Sequence, residues 1–156
     1  EIVSILSDKS DTIYFSDADA VYRLDRVENK AVEIAKGRYY LSDYSGEREA
    51  LLATSHQKSE SNNLWEITIK SKQSRKISFL PGDYISPRYF GASGIMMIKD
   101  GNLAYGSLTE NGMQVLANDV EDFWLDNGEN LIRTYVNGRY FLYIGVGGVG
   151  RIVEVK

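Results

Sequence analysis

The chain has no cysteine, two prolines and a single histidine in 156 residues. Without cysteine, disulfides and thiolate metal sites are excluded, while the compartment stays open. No apolar run approaches the roughly 20 residues that cross a bilayer, so membrane insertion is not expected. The opening EIVSILSDKSD lacks the basic flank of a signal peptide, and a start at Glu1 rather than Met fits a processed mature chain, a segment of something longer or an expression boundary. Basic charge is short as well: 18 Lys and Arg stand against 22 Asp and Glu, for a net charge of −4, and the basic residues are scattered. That balance gives no electrostatic footprint for nucleic acid or an anionic membrane. Helical stripes of apolar residues are scarce.

What is abundant points to strands. Eleven Tyr and 14 Gly favour extended segments separated by tight turns. Short runs rich in aromatic and β-branched residues recur, among them TIYF, AVYRL, ALLAT, LWEITI and YFLYIGV. Turn pairs follow in the second half, at Asp100-Gly101, Asn111-Gly112, Asn127-Gly128 and Asn137-Gly138. The pattern is antiparallel β throughout.

The runs keep a period. Strand-like segments beginning at Ile13, Leu51, Ile95 and Leu131 lie 38, 44 and 36 residues apart, and a second series at Val21, Leu64, Leu103 and Tyr140 is spaced 43, 39 and 37. A third, centred on Ile34, Ile77, Val115 and Val153, gives 43, 38 and 38. An extended stretch precedes each first-series strand (EIVSIL, RYYLSDYS, DYISPRYF, VEDFWLD), so a unit holds four strands. Four strands in about 40 residues, repeated radially, are the blades of a β-propeller. The expected fold is therefore all-β and propeller-like, with four blades of about four antiparallel strands each, at about residues 1–37, 38–80, 81–117 and 118–156 of one domain. Either they close a small ring or they form part of a larger one.

RYYLSDYSGEREALLATSHQKSESNNLWEITIKSKQSRKIS resembles a blade of the WD40-like propellers of the TolB and tricorn type, with a short turn, an apolar strand and an LWEI strand before a basic one. PGDYISPRYFGASGIMMIKDGNLAYGSL and ANDVEDFWLDNGENLIRTYVNGRYFLYIGV follow the same outline, and the first repeat also resembles the blades of YWTD and NHL propellers. The family's turn is altered here to Tyr44-Ser45-Gly46, Ala92-Ser93-Gly94 and Asp126-Asn127-Gly128, and no WD dipeptide occurs. The resemblance implies a non-enzymatic binding or scaffolding module that presents a rigid loop face to a protein or peptide. It also admits the gating segment of a larger serine peptidase of the prolyl-oligopeptidase or tricorn type, or a carbohydrate-binding propeller. It favours an extracytoplasmic location, and it allows self-association or docking to the remainder of a larger propeller.

Motifs for chemistry are few. Gly145, Gly147 and Gly150 spell GxGxxG, but a dinucleotide loop needs a following helix and a second parallel strand, and only Arg151 to Lys156 remain. The motif is expected to be a hairpin turn. His56 lies in the polar SHQKSESNN, and Ser93 in GASG lacks the GxSxG context of a hydrolase nucleophile. Asp17 and Asp19 alternate in SDADA, where a Ca²⁺ site would need more ligands and an Asp-rich turn needs none. No cofactor and no metal are expected. Tyr39, Tyr40, Trp65 and Trp124 are assigned to packing between blades.

In a propeller, the loops before first strands share a face with the loops between second and third strands. On that face Arg38, His56, Lys58, Asp83, Tyr84, Arg88 and Glu121 are the candidate binding residues, around the long SHQKSESNN loop and the start of DYISPRYF.

Overall fold

The computed structural model describes residues 1–8, 10–55, 63–77, 84–109, 112–126, 131–136, 138–146 and 149–154. Sixteen strands form four antiparallel four-stranded sheets, each a meander in chain order. The first holds β1 (Ser4–Ser7), β2 (Ile13–Ser16), β3 (Ala20–Asp25) and β4 (Lys30–Lys36). The second holds β5 (Tyr40–Ser45), β6 (Ala50–Ser55), β7 (Asn63–Thr68) and β8 (Gln73–Ile77). The third holds β9 (Tyr84–Phe90), β10 (Gly94–Lys99), β11 (Asn102–Ser107) and β12 (Met113–Ala117), and the fourth β13 (Asp122–Asp126), β14 (Leu131–Val136), β15 (Arg139–Val146) and β16 (Val149–Glu154). The first strands β1, β5 and β9 lie side by side, which makes them the inner strands of a radial stack.

Turn chemistry sets the registers. Lys99 pairs with Asn102 across Asp100-Gly101, both at positive φ (51° and 77°), as a two-residue type I′ hairpin requires. Asp25, Ser45 and Thr68 pair with Lys30, Ala50 and Gln73 across four-residue turns whose last residues, Asn29, Glu49 and Lys72, are left-handed. Gly145 pairs with Gly150 and Val146 with Val149, so the GxGxxG segment carries one antiparallel strand into the next, as a hairpin does. Its Gly147 and Gly148 lie outside the described residues.

The core lies between sheets. Tyr14, Val21, Ile34 and Ala35 of the first sheet pack on Leu51, Ala53 and Ile67 of the second. Leu52, Leu64 and Ile77 on the second sheet's other face meet Tyr84, Ile95, Met97 and Ala104 of the third. Met96, Ile98 and Leu103 then meet Val120 and Phe123. Strands β6 (ALLATS) and β10 (GIMMIK) are buried at every position because each is covered on both faces, which is why their sequences run apolar rather than alternating. Tyr39 and Trp65 meet edge to face at 5.7 Å between the first two sheets, the packing role expected of both.

Polar ties also join neighbouring sheets. The amide of Leu41 donates to Ser4 Oγ at 2.9 Å, and Ser4 Oγ lies 2.6 Å from the fully buried Ser16 Oγ. Ser16 in turn donates to the carbonyl of Tyr39 at 2.6 Å, so the relay leaves no buried hydroxyl unsatisfied.

Candidate functional site

The inner strands run between two ends of the stack. At one end, the linkers between sheets meet the turns between second and third strands: the amide of Gly37 donates to Asp19 O at 2.7 Å, and that of Val120 to Gly101 O at 2.8 Å. At the other end lie the hairpin turns joining first and second strands. A cavity of about 650 Å³ opens at this second end and reaches between β1, β5 and β9. Its walls are Ser7, Asp8 and Ser10, then Asp43 to Glu47, then Tyr89 and Gly91.

Asp43 is placed there by a β-bulge. Leu41 pairs with Ala53 and Asp43 with Leu52, so Ser42 is the extra residue and the strand is rotated beyond it. The Asp43 carboxylate therefore faces β9, accepting the Tyr89 amide at 2.8 Å and the Tyr44 amide at 2.9 Å. The Arg88 guanidinium lies 4.0 Å from Asp43 and donates to the Ser42 carbonyl, tying β9 to the bulge. Burial pushes the Asp43 carboxyl above the usual carboxylate range; the two amides and Arg88 oppose that shift without cancelling it. Asp43, Arg88 and Tyr89 also line a second cleft of about 270 Å³, with Phe123, Trp124 and Leu125 of the fourth sheet on its far side.

Behind this wall, Glu66 is clamped between Arg48 Nε and Arg75 Nη2, each at 2.7 Å, with the Tyr89 hydroxyl 3.4 Å from Oε1. Burial raises the Glu66 carboxyl, but the hydrogen bonds and charges of the two arginines outweigh it and hold the group below its usual range. Tyr89 is buried beside that carboxylate, and both effects push its phenol far up, so it stays a neutral donor. Asp8 accepts the amides of Ser10 and Thr12, which closes the β1–β2 turn at the cavity rim.

The residues expected from the sequence are distributed differently. His56, Lys58 and Asp83 lie outside the described residues. Arg38 is exposed before β5, with its guanidinium 3.4 Å from the Tyr40 hydroxyl, and Glu121 is exposed before β13; both stand at the linker end. Tyr84 is packed in the core between the second and third sheets with 5% of its surface exposed, because it opens β9 on the face turned toward β6 and β7. Arg88 borders the smaller cleft, and it does so through the bulge. Asp17 Oδ1 accepts the amides of Asp19 and Ala20, both at 2.9 Å, and those bonds lower its pKa: the pair builds a turn. No group of three or more potential metal ligands occurs among the described residues.

Asp43, Tyr89, Asp8 and Glu47 were not singled out by sequence. The available signal was the lone carboxylate of YLSDYS, an inner strand otherwise made of aromatic, aliphatic and hydroxyl residues.

No protein-family profile matches the chain, and no curated protein matches it by sequence. Solved structures do. TolB from Acinetobacter baumannii superposes with a TM-score of 0.72 at 13% identity, over 99% of this chain and 43% of that one. A chain in the complex of S. cerevisiae Dbp5 bound to Nup159, Gle1, IP6 and ADP gives 0.68 at 9% identity, over 96% and 41%. The extracellular domain of BT4673 from B. thetaiotaomicron gives 0.62 at 16%, over 90% and 21%. The chain thus spans less than half the length of each. With the meander sheets and inner-strand contacts already described, these likenesses establish an all-β, propeller-like fold.

Proposed function

We propose that the chain is a non-enzymatic binding module that takes an extended protein or peptide segment carrying lysine or arginine into the cavity between β1, β5 and β9. The observation that carries this reading is the cavity itself, about 650 Å³ in volume and walled by three inner strands with hydroxyl, amide and carboxylate groups. Among the described residues, Asp8, Asp43 and Glu47 border it, and no lysine or arginine does. Arg48 and Arg88 are committed to Glu66, Ser42 and Asp43. A cationic side chain entering from the hairpin end meets the carboxylates of Asp8, Asp43 and Glu47. The fold it shares with the extracellular domain of BT4673 is compatible with an extracytoplasmic setting.

The test compares fluorescent oligolysine and oligoglutamate peptides by polarisation, at low and high salt, on the unaltered chain and on Asp43→Asn, Glu47→Gln and Arg38→Glu. Expected is salt-sensitive binding of the basic probe only, weakened about tenfold by loss of the Asp43 charge, as for a charge-assisted contact of about 1.4 kcal/mol. Equal binding of both probes, or an effect confined to Arg38→Glu, would move the site to the linker end and overturn the reading.

A further inference from the structure

Asp43 and Tyr89 line both the 650 Å³ cavity and the 270 Å³ cleft, so the two lie against the same pair of residues. Their chemistry differs. The larger is bordered by the carboxylates of Asp8, Asp43 and Glu47, whereas the smaller adds a cation, Arg88. On the far side of the cleft stand Phe123 and Leu125, which pack into the core between the third and fourth sheets. A charged contact made beside such apolar groups is stronger than the same contact in open water.

Arg88 uses only part of its guanidinium. Nη1 donates to the Ser42 carbonyl and is the nitrogen 4.0 Å from the Asp43 carboxylate. Nε and Nη2 have no acceptor among the described residues, and the side chain is 47% exposed. These two nitrogens carry parallel N–H groups along one edge of the guanidinium, an edge that grips a carboxylate with two bonds. Arg48 spends its Nε on Glu66 at 2.7 Å, and Arg88 has no such internal carboxylate there. The bond to Ser42 holds the guanidinium from its other end, which leaves less side-chain freedom to lose on binding.

We infer that the cleft is a carboxylate subsite, in which the Nε–Nη2 edge of Arg88 takes one carboxylate of the same segment whose lysine or arginine enters the larger cavity. This rests on reading that cavity as the seat of a basic residue. The segment it fits carries the two charges close together, a basic side chain on one side of Asp43 and Tyr89 and a carboxylate on the other. A planar, singly charged group matches the guanidinium edge, and Asp43, 4.0 Å from the same group, weighs against a dianion such as phosphate. A run of carboxylates is disfavoured as well, since its other members would meet Asp8, Asp43 and Glu47. A side-chain carboxylate and a chain end share this chemistry, and the test separates them.

Fluorescence polarisation on a set of labelled, amidated peptides is that test. Each has two lysines in a neutral Gly/Ser frame, followed within a few residues by Glu or, in its twin, by Gln. A third series keeps Gln and ends in a free carboxylate, and a fourth keeps Glu but replaces both lysines by Gln. On the unaltered chain the Glu peptide is expected to bind about three- to tenfold more tightly than its twin, as for a half-exposed, two-bond contact to arginine. In Arg88→Gln that ratio should fall to about one, whatever the substitution does to both twins alike through the Ser42 bond. A gain confined to the free chain end, and lost in Arg88→Gln, would assign the cleft to a C-terminus. No gain from either carboxylate while lysine-dependent binding persists, or a gain that survives Arg88→Gln, would overturn the subsite and leave the basic reading standing. A gain that needs Arg88 but not the lysines would keep the subsite and retire that reading, and binding by none of the peptides would overturn both.

Discussion

Glu66 offers the sharpest test of how the second and third sheets are held together. Its side chain is 7% exposed and both carboxylate oxygens are occupied by guanidinium groups at 2.7 Å. Arg48, 27% exposed, also donates to the Ala92 carbonyl at 3.2 Å, so it carries the connection across to the β9–β10 turn. In Glu66→Gln, one carboxylate oxygen becomes an amide that donates toward a guanidinium, and a half-buried arginine loses its counter-charge. Hydrogen bonds to charged groups contribute about 1.5–3 kcal/mol, and breaking one partner of a buried pair costs about 3–5. Since Arg75 is 56% exposed and can turn to water, about 2–3 kcal/mol is expected. For a chain of this size that is a fall in Tm of roughly 5–10 °C. Urea denaturation at several pH values is the assay. The folded pKa of Glu66 is depressed, so its contribution is complete above the unfolded carboxylate range near pH 4.3 and is lost as pH falls through the lower folded value. The gap between the two proteins should therefore be constant from neutral pH to about 5 and shrink in acid. A Gln variant within about 0.5 kcal/mol of the unaltered chain at pH 7, or a gap that widens in acid, would refute the reasoning.

Other perturbations act through local geometry. A Cβ on Gly94 would lie 2.7 Å from the Phe90 carbonyl and collide with the Tyr105 ring, so Gly94→Ala should lower stability by about 1–3 kcal/mol in calorimetry, with only partial rescue by Tyr105→Leu because the carbonyl stays. Lys72 closes the β7–β8 turn at φ 55°, and Lys72→Gly should raise the free energy of unfolding, measured by urea denaturation, by about 0.5–1 kcal/mol. Ser16→Ala removes the donor to the Tyr39 carbonyl and the partner of Ser4 in a fully buried relay, and should cost about 1–3 kcal/mol; a change below 0.5 would mean the relay is re-satisfied by water.

The repeat was legible because its signal is redundant. Three strand positions recur at one period, and turn pairs such as Asp100-Gly101 force hairpins whatever their surroundings. Runs such as ALLAT and GIMMIK read as strands rather than helices because they are short and bounded by turns, and their lack of alternation follows from cover on both faces. The site was legible only in part. Reasoning about loops directed attention to the linker end, where Arg38 and Glu121 stand, and reached only Arg88 of the residues beside the bulge, since long polar loops commonly carry recognition. What opened the cavity at the other end was a bulge at Ser42, which turns Asp43 across to the next sheet, and a bulge leaves no spelling in YYLSDYS. Tyr84 was misplaced by the same kind of shift. It begins a strand whose register against β10 slips between Met96 and Ile98, beside the positive φ of Ser86, and the residue before the slip faces the core.

The two bulges carry a consequence for how this stack divides its labour. Cohesion comes from the second strands β6 and β10, where nearly every side chain is apolar and enclosed, so substitution there leaves a cavity. The inner strand β5 is half-buried at every position, and its polar groups are matched to the sheets on either side by individual hydrogen bonds rather than by area. Groups held in that way can be exchanged one at a time without unpacking the sheets beside them. A carboxylate such as Asp43 can therefore be retained in a half-buried position against the cost of desolvating it, because the stability of the stack is secured one strand further out.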